Sequence, residues 1–427
     1  MGKNVLLSTF NYQPHFSMKQ QLLGLLAILF LTQLSVQAQT YPGCDGDRFR
    51  SAVFTEVEVT RDLKFGEGVT IAGNNQELFL DVYEPVGDEQ SMRPLIMLAF
   101  GGSFIVGQRQ DLESLCEFYA RQGYVAVTID YRLYDLPVLP LPTADEMREV
   151  VVKSISDYKA AIRFMREDAA TDNEFRIDPE QVYIGGVSAG AIAAAHTAVL
   201  DETDDIDEFL LGLIEDNGGF EGNSSTNTEY ATEVQGYINL SGALNDASWI
   251  DENDPPFVSV HDDGDLVVPY DAGFAQVLGF EIVYLEGSLQ MQLRADSLGI
   301  TNDLLTIENS PEHVSYFDPA ESFISTLNFT TAFVHDQICG EIVNVQDVSP
   351  MLNAVSVFPN PTTDFVQVGN PEGLRLRLRL LDASGRMLDQ EVGEATLSLS
   401  HLPKGTYWLE VTDLDADQRV LRQIVVQ

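Results

Sequence analysis

Apolar and polar residues alternate along the first folded stretch of the chain. The alternation runs through FTEVEVT, GVTIAG and ELFLDVYEP between residues 54 and 85. A period of two, closed by a proline, predicts antiparallel strands at the edge of a sheet. From residue 94 the pattern changes, because PLIMLAF is a continuous apolar run. Such runs are typical of strands that are buried on both faces.

Helix-like and strand-like segments alternate through the middle of the chain. Helices are predicted over residues 112–122 and 147–168, and an apolar helix directly after residue 188. The buried strands are predicted at YVAVTIDY, VYIGGV, YINLSGA and FVSVHDDG. This alternation predicts an α/β fold with a doubly wound, mainly parallel sheet.

Two stretches depart from that alternation. Residues 201–233 are acidic and glycine-rich, which leaves two interpretations open: a cap over the carboxyl edge of the sheet, or a plain surface excursion. From residue 355, short alternating segments are separated by Asn-Pro, Ser-Gly and Lys-Gly turns. They predict an all-β sandwich over residues 351–427, joined to an α/β domain at 39–340 by a linker at 341–350.

The first 38 residues predict a secretory signal peptide. Lys19 precedes the apolar run of residues 22–31, and Val36 and Ala38 put small side chains before a cleavage at Gln39. The run is too short for a transmembrane helix. Because residue 18 is itself a methionine followed by a lysine, residues 1–17 are open to interpretation as an upstream start.

Export predicts an oxidising compartment, which bears on the three cysteines of the chain. Cys116 lies in an amphipathic helix pattern and is interpreted as a buried apolar residue. Cys44 and Cys339 lie near the two ends of the large domain. We therefore predict a disulfide between them.

Composition narrows the classes of function. The formal charge is −42, from 66 acidic against 24 basic residues, and no basic stripe offsets it. Such a field repels phosphate backbones and argues against nucleic-acid binding. No set of His, Cys and carboxylate residues has metal-ligand spacing, so neither a cofactor nor a catalytic metal is predicted.

GVSAG, residues 186–190, is the segment that carries chemistry. It matches G-x-S-x-G with a strand before it and an apolar helix after it, the context in which Ser188 would be presented as a nucleophile. The alternative is a sharp turn without chemical function. A serine hydroxyl needs a base, and the base needs an orienting carboxylate.

The residues that follow supply both groups in the order serine, acid, histidine. Asp265 follows an apolar strand, with Asp262 and Asp263 as competitors in the same loop, and His313 follows the next strand. The other histidines of the mature chain are given structural interpretations: His196 on the helix after Ser188, His261 as a brace of the acid loop, His335 on a helix and His401 in the small domain.

A glycine-containing loop follows the PLIMLA strand. In FGGSF, residues 100–104, glycines let backbone N–H groups approach a ligand closely, and with the N–H of Ala189 they would form an oxyanion hole. An ordinary strand-to-loop turn is the alternative.

These motifs together resemble the α/β-hydrolase carboxylesterases. The nearest are bacterial esterases related to hormone-sensitive lipase and to feruloyl or acetyl-xylan esterases, and the matching segments are LDVYEP, FGGSF, YVAVTIDYRL, GVSAG and HDDGD. The resemblance implies oxyanion donors at Gly102, Ser103 and Ala189. This sequence departs from the family pattern at Phe100, where the family has His, at Ser103, where it has the third Gly of the oxyanion loop, and at Asp262, where it has Gly. The spacing of the family's acid motif is kept, which favours Asp265.

The tail resembles the type A C-terminal sorting domain of type IX secretion, through VFPNPTTDFVQV, LLDASGRML and LPKGTYWLEV. The resemblance implies contact with the secretion machinery, passage across an outer membrane, and a secreted or surface-exposed protein. An ordinary β-sandwich or a carbohydrate-binding module is the alternative.

We predict a secreted serine carboxylesterase that acts through an acyl-enzyme on small or polysaccharide-linked esters, with Ser188, His313 and Asp265 as its triad. Two alternatives remain: a prolyl-oligopeptidase-type peptidase, for whose propeller the chain has no room, and a non-catalytic binding protein on the same scaffold.

Overall fold

The fold was analysed in a computed structural model. The structure describes residues 41–44, 46–318, 320–340, 355–370, 373–381, 387–392, 396–413 and 418–426. The predicted signal peptide and linker lie outside these residues, so both remain predictions, as do the domain boundaries.

Eight strands of the described chain form one sheet. The strands of this sheet are β1 (Val57–Val69), β2 (Asn75–Pro85), β3 (Arg93–Ala99), β4 (Val125–Ile129), β5 (Ile177–Val187), β6 (Gly236–Leu240), β8 (Phe257–Asp262) and β11 (Asn302–Ile307). A second sheet has three strands: β7 (Ala243–Leu244), β9 (Ala272–Val277) and β10 (Phe280–Gly287).

The large sheet has the order β1-β2-β4-β3-β5-β6-β8-β11. β1, β2 and β4 pair antiparallel at one edge, and all further pairs, from β4–β3 to β8–β11, are parallel. Every residue of β3, β4, β6 and β8 is buried, as the continuous apolar runs predict. The predicted mainly parallel α/β fold is confirmed.

Six α-helices lie between or after these strands in the described residues: α1 (Glu113–Arg121), α2 (Ala144–Ala170), α3 (Ala189–Val199), α4 (Glu208–Asp216), α5 (Ser288–Leu298) and α6 (Ala320–Cys339). α2 begins with a capping box, in which Thr143 accepts from the Glu146 N–H at 3.2 Å and Glu146 accepts from the Thr143 N–H at 2.7 Å. Of the described helices, none combines the length and the apolar character that crossing a membrane requires.

The edge strand β1 differs from the expectation. The sequence pattern divides residues 57–69 between FTEVEVT and GVTIAG, whereas the structure has one strand of 13 residues. Register shifts lie between Thr60 and Leu63 and between Lys64 and Gly66. An extra residue at a bulge reverses which positions face inward, so it interrupts the alternation without ending the strand.

The predicted disulfide between Cys44 and Cys339 is confirmed, with Cα atoms 5.4 Å apart. It joins residues 295 positions apart, at the start and the end of the described large domain. Cys116 is free and buried, as predicted.

The C-terminal residues form two small antiparallel sheets. The strands are β12 (Ser356–Phe358), β13 (Phe365–Gly369), β14 (Leu376–Leu381), β15 (Met387–Val392), β16 (Thr396–Ser398), β17 (Gly405–Asp413) and β18 (Gln418–Val426). Side chains of both sheets, among them Val366 and Leu378, share one apolar cluster that is separate from the large core. Two sheets over a common core are a sandwich arrangement, in agreement with the prediction.

Candidate active site

Ser188 stands at the junction between β5 and α3, in a turn that few residues can adopt. Its φ of 54° and ψ of −118° fall outside the regions usual for a residue with a side chain. A Cβ on Gly186 would overlap the backbone of Gly190, and one on Gly190 would overlap the Ala99 carbonyl. The flanking glycines are therefore what allow the helix to leave the strand so abruptly.

The turn holds Ser188 at the carboxyl edge of the parallel strands. Its N–H donates to the Leu240 carbonyl of the neighbouring strand β6 at 2.8 Å. The loops after β8 and β11 reach the same edge, because parallel strands all end on one side of a sheet. Residues far apart in sequence can therefore meet there.

His313 and Asp265 lie within hydrogen-bond distance of one another and of the serine. The Nε2 atom of His313 is 2.8 Å from Ser188 Oγ, and its Nδ1 atom is 2.6 Å from Asp265 Oδ2. The Asp265 side chain is fully buried, whereas that of His313 is 18% exposed. The structure thus brings together the three side chains that sequence analysis proposed as a triad.

The surroundings of Asp265 favour its charged form. Its Oδ1 accepts from the N–H groups of Val267 at 2.7 Å and Val268 at 3.1 Å, and its Oδ2 lies 3.3 Å from His261 Nε2. Burial acts to raise the pKa of Asp265, but hydrogen bonds from His261, His313 and the Val267 N–H outweigh it and lower the pKa to about 2. Asp265 is therefore a carboxylate at neutral pH.

The two competing aspartates have other partners. Asp262 accepts hydrogen bonds from the backbone N–H of Ser315, at 3.0 Å, and from its hydroxyl. Asp263 accepts from two backbone N–H groups of the turn after β11, at 2.9 and 3.0 Å. Both carboxylates thus hold the segment that carries His313, and Asp265 is the one that faces the imidazole.

The loop after β3 passes beside Ser188. A Cβ added to Gly101 would lie 3.2 Å from the Ser188 Cβ. Gly102 and Ser103 have φ values of 121° and 56°, in the left-handed region. Within the described residues, neither of their N–H groups donates to a protein acceptor. Unsatisfied N–H groups beside a nucleophile can receive a ligand oxygen.

Sequence analysis missed the residue that holds this loop. Tyr131, just after β4, donates its hydroxyl to the Phe100 carbonyl at 2.7 Å, and the two rings stack at 4.4 Å. Phe100 stands where the resembling family has a histidine. Here a buried tyrosine fixes the loop through the backbone and the phenyl ring instead. No local signal could have revealed this, since the partners are 31 residues apart.

Of the other histidines in the described residues, His261 lies beside Asp265, and the rest have no contact with Ser188, His313 or Asp265. His196 donates from Nδ1 to the Ile192 carbonyl at 2.8 Å and accepts the Asn245 N–H on Nε2 at 3.2 Å. Burial lowers the pKa of His196 to about 4. It is therefore neutral near pH 7 and structural. His335 lies on α6, and His401 is exposed in the small domain.

A cavity of about 780 Å³, including its mouth, opens beside Ser188. Its walls come mainly from α2, α3 and the β9–β10 hairpin, with smaller contributions from α4 and from the loops after β3, β7 and β8. The apolar lining consists of Phe104, Met147, Val151, Val152, Ile155, Ala189, Ile192, Leu200, Leu210, Trp249, Val267, Val268, Ala275, Val277, Ile282, Val283 and Leu285. The hairpin was not predicted from the sequence. Leu210 shows that the acidic insertion also contributes to the cavity wall.

Among the described residues, no cluster of three or more His, Cys, Asp or Glu side chains is arranged to hold a metal ion. Around Ser188 the structure places an imidazole within hydrogen-bond distance of a hydroxyl, beside free backbone N–H groups. This arrangement can support attack on a carbonyl carbon.

Part of the large domain matches the model of a known family. Residues 80–245, which include the Ser188 turn and the loop after β3, match the family model BD-FAE. The chain carries a BD-FAE domain. BD-FAE is an esterase family with the α/β-hydrolase fold, so the resemblance predicted from the motifs is confirmed.

Individual relatives of the BD-FAE domain are distant. A probable isoprenylcysteine alpha-carbonyl methylesterase (ICMEL1) of Oryza sativa subsp. japonica is 28% identical over 172 residues, which cover 40% of this chain and 33% of the relative. Gut esterase 1 of Caenorhabditis briggsae is 29% identical over 131 residues, 30% of this chain and 22% of the relative. The chain thus spans about a third or less of the length of these two proteins.

Solved esterase structures are also similar to this chain, at low sequence identity. A thermophilic esterase from the Planctomycetes species Thermogutta terrifontis, with propionate bound, has a TM-score of 0.44 and 20% sequence identity. The similarity covers 63% of this chain and 92% of that esterase.

The small domain also matches a family. Residues 356–427 match the model of the secretion system C-terminal sorting domain. This domain marks proteins that type IX secretion exports to the cell surface or the extracellular space. The predicted export route is thereby confirmed, whereas the signal peptide remains a prediction.

Proposed function

We propose that the large domain hydrolyses carboxylic esters with Ser188 as nucleophile, His313 as general base and Asp265 as the carboxylate that orients the imidazole. One observation carries the proposal: His313 lies at 2.8 Å from Ser188 Oγ and at 2.6 Å from Asp265 Oδ2. An imidazole bonded on both nitrogens in this way is the arrangement that activates a hydroxyl.

In the acylation step, Ser188 Oγ attacks the ester carbonyl carbon while its proton moves to His313 Nε2. Asp265 stays ionised and stabilises the imidazolium that forms. The carbonyl oxygen becomes an oxyanion, for which the N–H groups of Gly102, Ser103 and Ala189 are the proposed donors. Collapse of this intermediate expels the alcohol, which takes its proton from His313, and leaves an acyl-serine.

In the deacylation step, water attacks the acyl carbon while His313 Nε2 accepts its proton. The second tetrahedral intermediate releases the carboxylic acid and restores the Ser188 hydroxyl. The buried Asp265 keeps the same role in both steps. We include sugar-linked alcohols among the substrates, because an open groove beside Gly101 and Gly102 also carries the polar side chains Asp111 and Ser114.

The experiment compares two serines in matching positions. Ser188 and Ser241 end neighbouring strands, have φ values of 54° and 53°, and donate their N–H groups to the next strand. Only Ser188 contacts a histidine; the Ser241 hydroxyl pairs with Tyr316 at 2.9 Å. We expect Ser188→Ala to lower kcat for p-nitrophenyl acetate by about 10⁶-fold, and Ser241→Ala to leave kcat within a few-fold of the unmodified protein.

Labelling gives an independent readout. A fluorophosphonate should add one covalent group to the unmodified protein and to the Ser241→Ala variant, at a peptide that contains residue 188, and none to the Ser188→Ala variant. Full ester turnover by Ser188→Ala, or an adduct on another residue, would refute the proposal. Turnover of a p-nitroanilide at a rate similar to the ester would instead favour the peptidase alternative.

A further inference from the structure

The cavity beside Ser188 is elongated along one helix. Ser188, Ile192, His196 and Leu200 all line it and are spaced four residues apart, so they mark one face of α3 from its N-terminal cap to its C-terminal cap. At 1.5 Å per residue this face is about 18 Å long. The cavity therefore runs away from the reacting hydroxyl as a channel.

The facing walls of the channel are apolar as well. α2 contributes Val151, Val152 and Ile155, whose spacing places them on one side of that helix. The β9–β10 hairpin contributes Ala275 and Val283, which are paired across the two strands. Two helices and a hairpin thus enclose a narrow volume with little polar surface.

The polar side chains of the lining offer few hydrogen bonds to a ligand. Both ring nitrogens of His196 are engaged by backbone groups. Arg148 forms an ion pair with Asp207, and its guanidinium lies 5.3 Å from the centre of the Phe209 ring. The other polar residues of the lining, besides Ser188, are Ser103, Asn245 and Gln276, so a sugar in this channel would exchange most of its hydration for a few polar contacts. A hydrocarbon chain has no hydrogen bonds to water that it would lose.

A second, more open groove lies next to the Ser188 turn and shares no lining residue with the channel. It is lined by Gly101, Gly102, Val187 and Phe317. Phe317 follows His313 by four residues on the same segment. The leaving alcohol must accept its proton from His313 Nε2, so it belongs on this open side. The acyl group then occupies the channel along α3, which the two helices and the hairpin enclose and which we call the closed channel.

We propose that the closed channel binds an unbranched aliphatic acyl chain of medium length, which lies along α3 from Ser188 past Ile192 and His196. The inference rests on the proposed esterase function and names the acyl class that the same site takes. The alcohol remains in the open groove and is not selected by chain length.

Two substitutions on β10 provide a matched test. Val283 faces the channel, whereas Glu281 lies two residues earlier on the same strand, is exposed and does not line it. Val283→Trp places a bulky ring in the channel, and Glu281→Trp places the same ring in solvent. Ala275→Leu is a smaller obstruction on the paired strand, for the case that the tryptophan impairs folding.

The measurement is kcat/KM, with the full chain, for p-nitrophenyl acetate, butyrate, octanoate and decanoate, all below their solubility limits. For the unmodified protein we expect octanoate to exceed acetate by at least about tenfold, since each methylene buried in an apolar pocket strengthens binding. Val283→Trp and Ala275→Leu should lower the octanoate-to-acetate ratio by at least about tenfold. Glu281→Trp should keep the original ratio.

A second series of acetate esters, from methyl to octyl alcohol, should respond to Val283→Trp and Glu281→Trp alike. Robust acetate turnover with no gain on longer acyl chains would overturn the inference and leave the esterase function standing. So would a ratio that Val283→Trp and Glu281→Trp change equally. Failure to hydrolyse any ester would overturn the esterase function, and the inference with it.

Discussion

Two tyrosines at opposite ends of β4 make the same kind of hydrogen bond, but one supports packing and the other positions a loop of the site. Tyr124 and Tyr131 are both fully buried, and each donates its hydroxyl to a backbone carbonyl at 2.7 Å. The acceptor of Tyr124 is Phe49, near the start of the described chain, whereas that of Tyr131 is Phe100, in the loop beside Ser188. The same bond thus supports packing in one place and loop geometry in the other.

Tyr131→Phe should lower kcat for p-nitrophenyl acetate by about tenfold with little change in KM, since a loss of about 1.4 kcal/mol in oxyanion stabilisation has that effect. Tyr124→Phe is the control, because it leaves a similar buried carbonyl without its donor. Both variants should lose similar stability, about 1–3 kcal/mol in urea unfolding. Equal activity in the two variants would mean that Tyr131 does not position the loop.

Asp265→Asn tests the role of the charge at nearly constant shape. The amide cannot stabilise an imidazolium and permits the wrong tautomer of His313, so kcat should fall by about 10⁴-fold. Asp263→Asn, in the same loop but bonded to the turn after β11, should change kcat by less than about tenfold. A similar fall in both variants would indicate that the loop is disturbed as a whole, and would remove the distinction between them.

At the residue scale, sequence analysis could name candidate residues only where the site leaves a local pattern. The glycines around Ser188 are required by the backbone overlap they avoid, so the motif is visible in five residues. Asp265 could be separated from its neighbours only through a family's spacing, because the hydrogen bonds of Asp262 and Asp263 depend on a turn that follows another strand. Tyr131 left no pattern at all.

At the scale of elements, the turn between β5 and α3 is tightly constrained by its neighbours. The first turn of α3 packs directly against the end of β3, and Gly190 has no room for a side chain there. Gly212 on α4, by contrast, has no atom within 4 Å of the position that a Cβ would take. The two glycines therefore predict opposite effects of the same substitution.

Gly190→Ala should destabilise the protein by about 1–3 kcal/mol, as overpacking does, and should lower kcat by about 10²-fold through displacement of Ser188. Gly212→Ala should raise stability by about 0.5–1 kcal/mol, since alanine is the better helix former, and leave kcat unchanged. Thermal unfolding and ester turnover measure both. A stable, active Gly190→Ala variant would show that the turn tolerates movement.

The elements that sequence analysis missed share one physical cause. The β9–β10 hairpin turns at Leu278-Gly279 and has apolar side chains on both faces: Val283 and Leu285 towards the cavity, Phe274 and Tyr284 towards solvent. Alternation is lost when neither face is polar, so no period of two marks the strands. The register shifts of β1 also interrupt the alternation of apolar and polar residues, so the sequence pattern divided one strand into two segments.

At the scale of the molecule, one covalent bond joins the two ends of the described large domain. The bond between Cys44 and Cys339 closes a loop that contains all the residues that match the BD-FAE model. Cross-linking residues so far apart lowers the entropy of the unfolded chain, and the stabilisation grows slowly with loop length. An exported protein keeps such a bond because its surroundings are oxidising.

Cys44→Ser, Cys339→Ser and the double variant should each lose about 2–5 kcal/mol of unfolding free energy, and by the same amount, because all three remove one bond. Dithiothreitol should lower the melting temperature of the unmodified protein to that of the variants and leave the variants unchanged. Additive losses in the double variant would show that the cysteines act separately.

The position of the disulfide also bears on how the two domains can part. Cys339 precedes residue 341, where the predicted linker to the sorting domain begins. A protease that cuts within that linker severs the chain outside the ring closed by the two sulfurs. The large domain would then separate from the sorting domain with residues 44 and 339 still cross-linked, so an exopeptidase that trims either terminus would soon meet the disulfide.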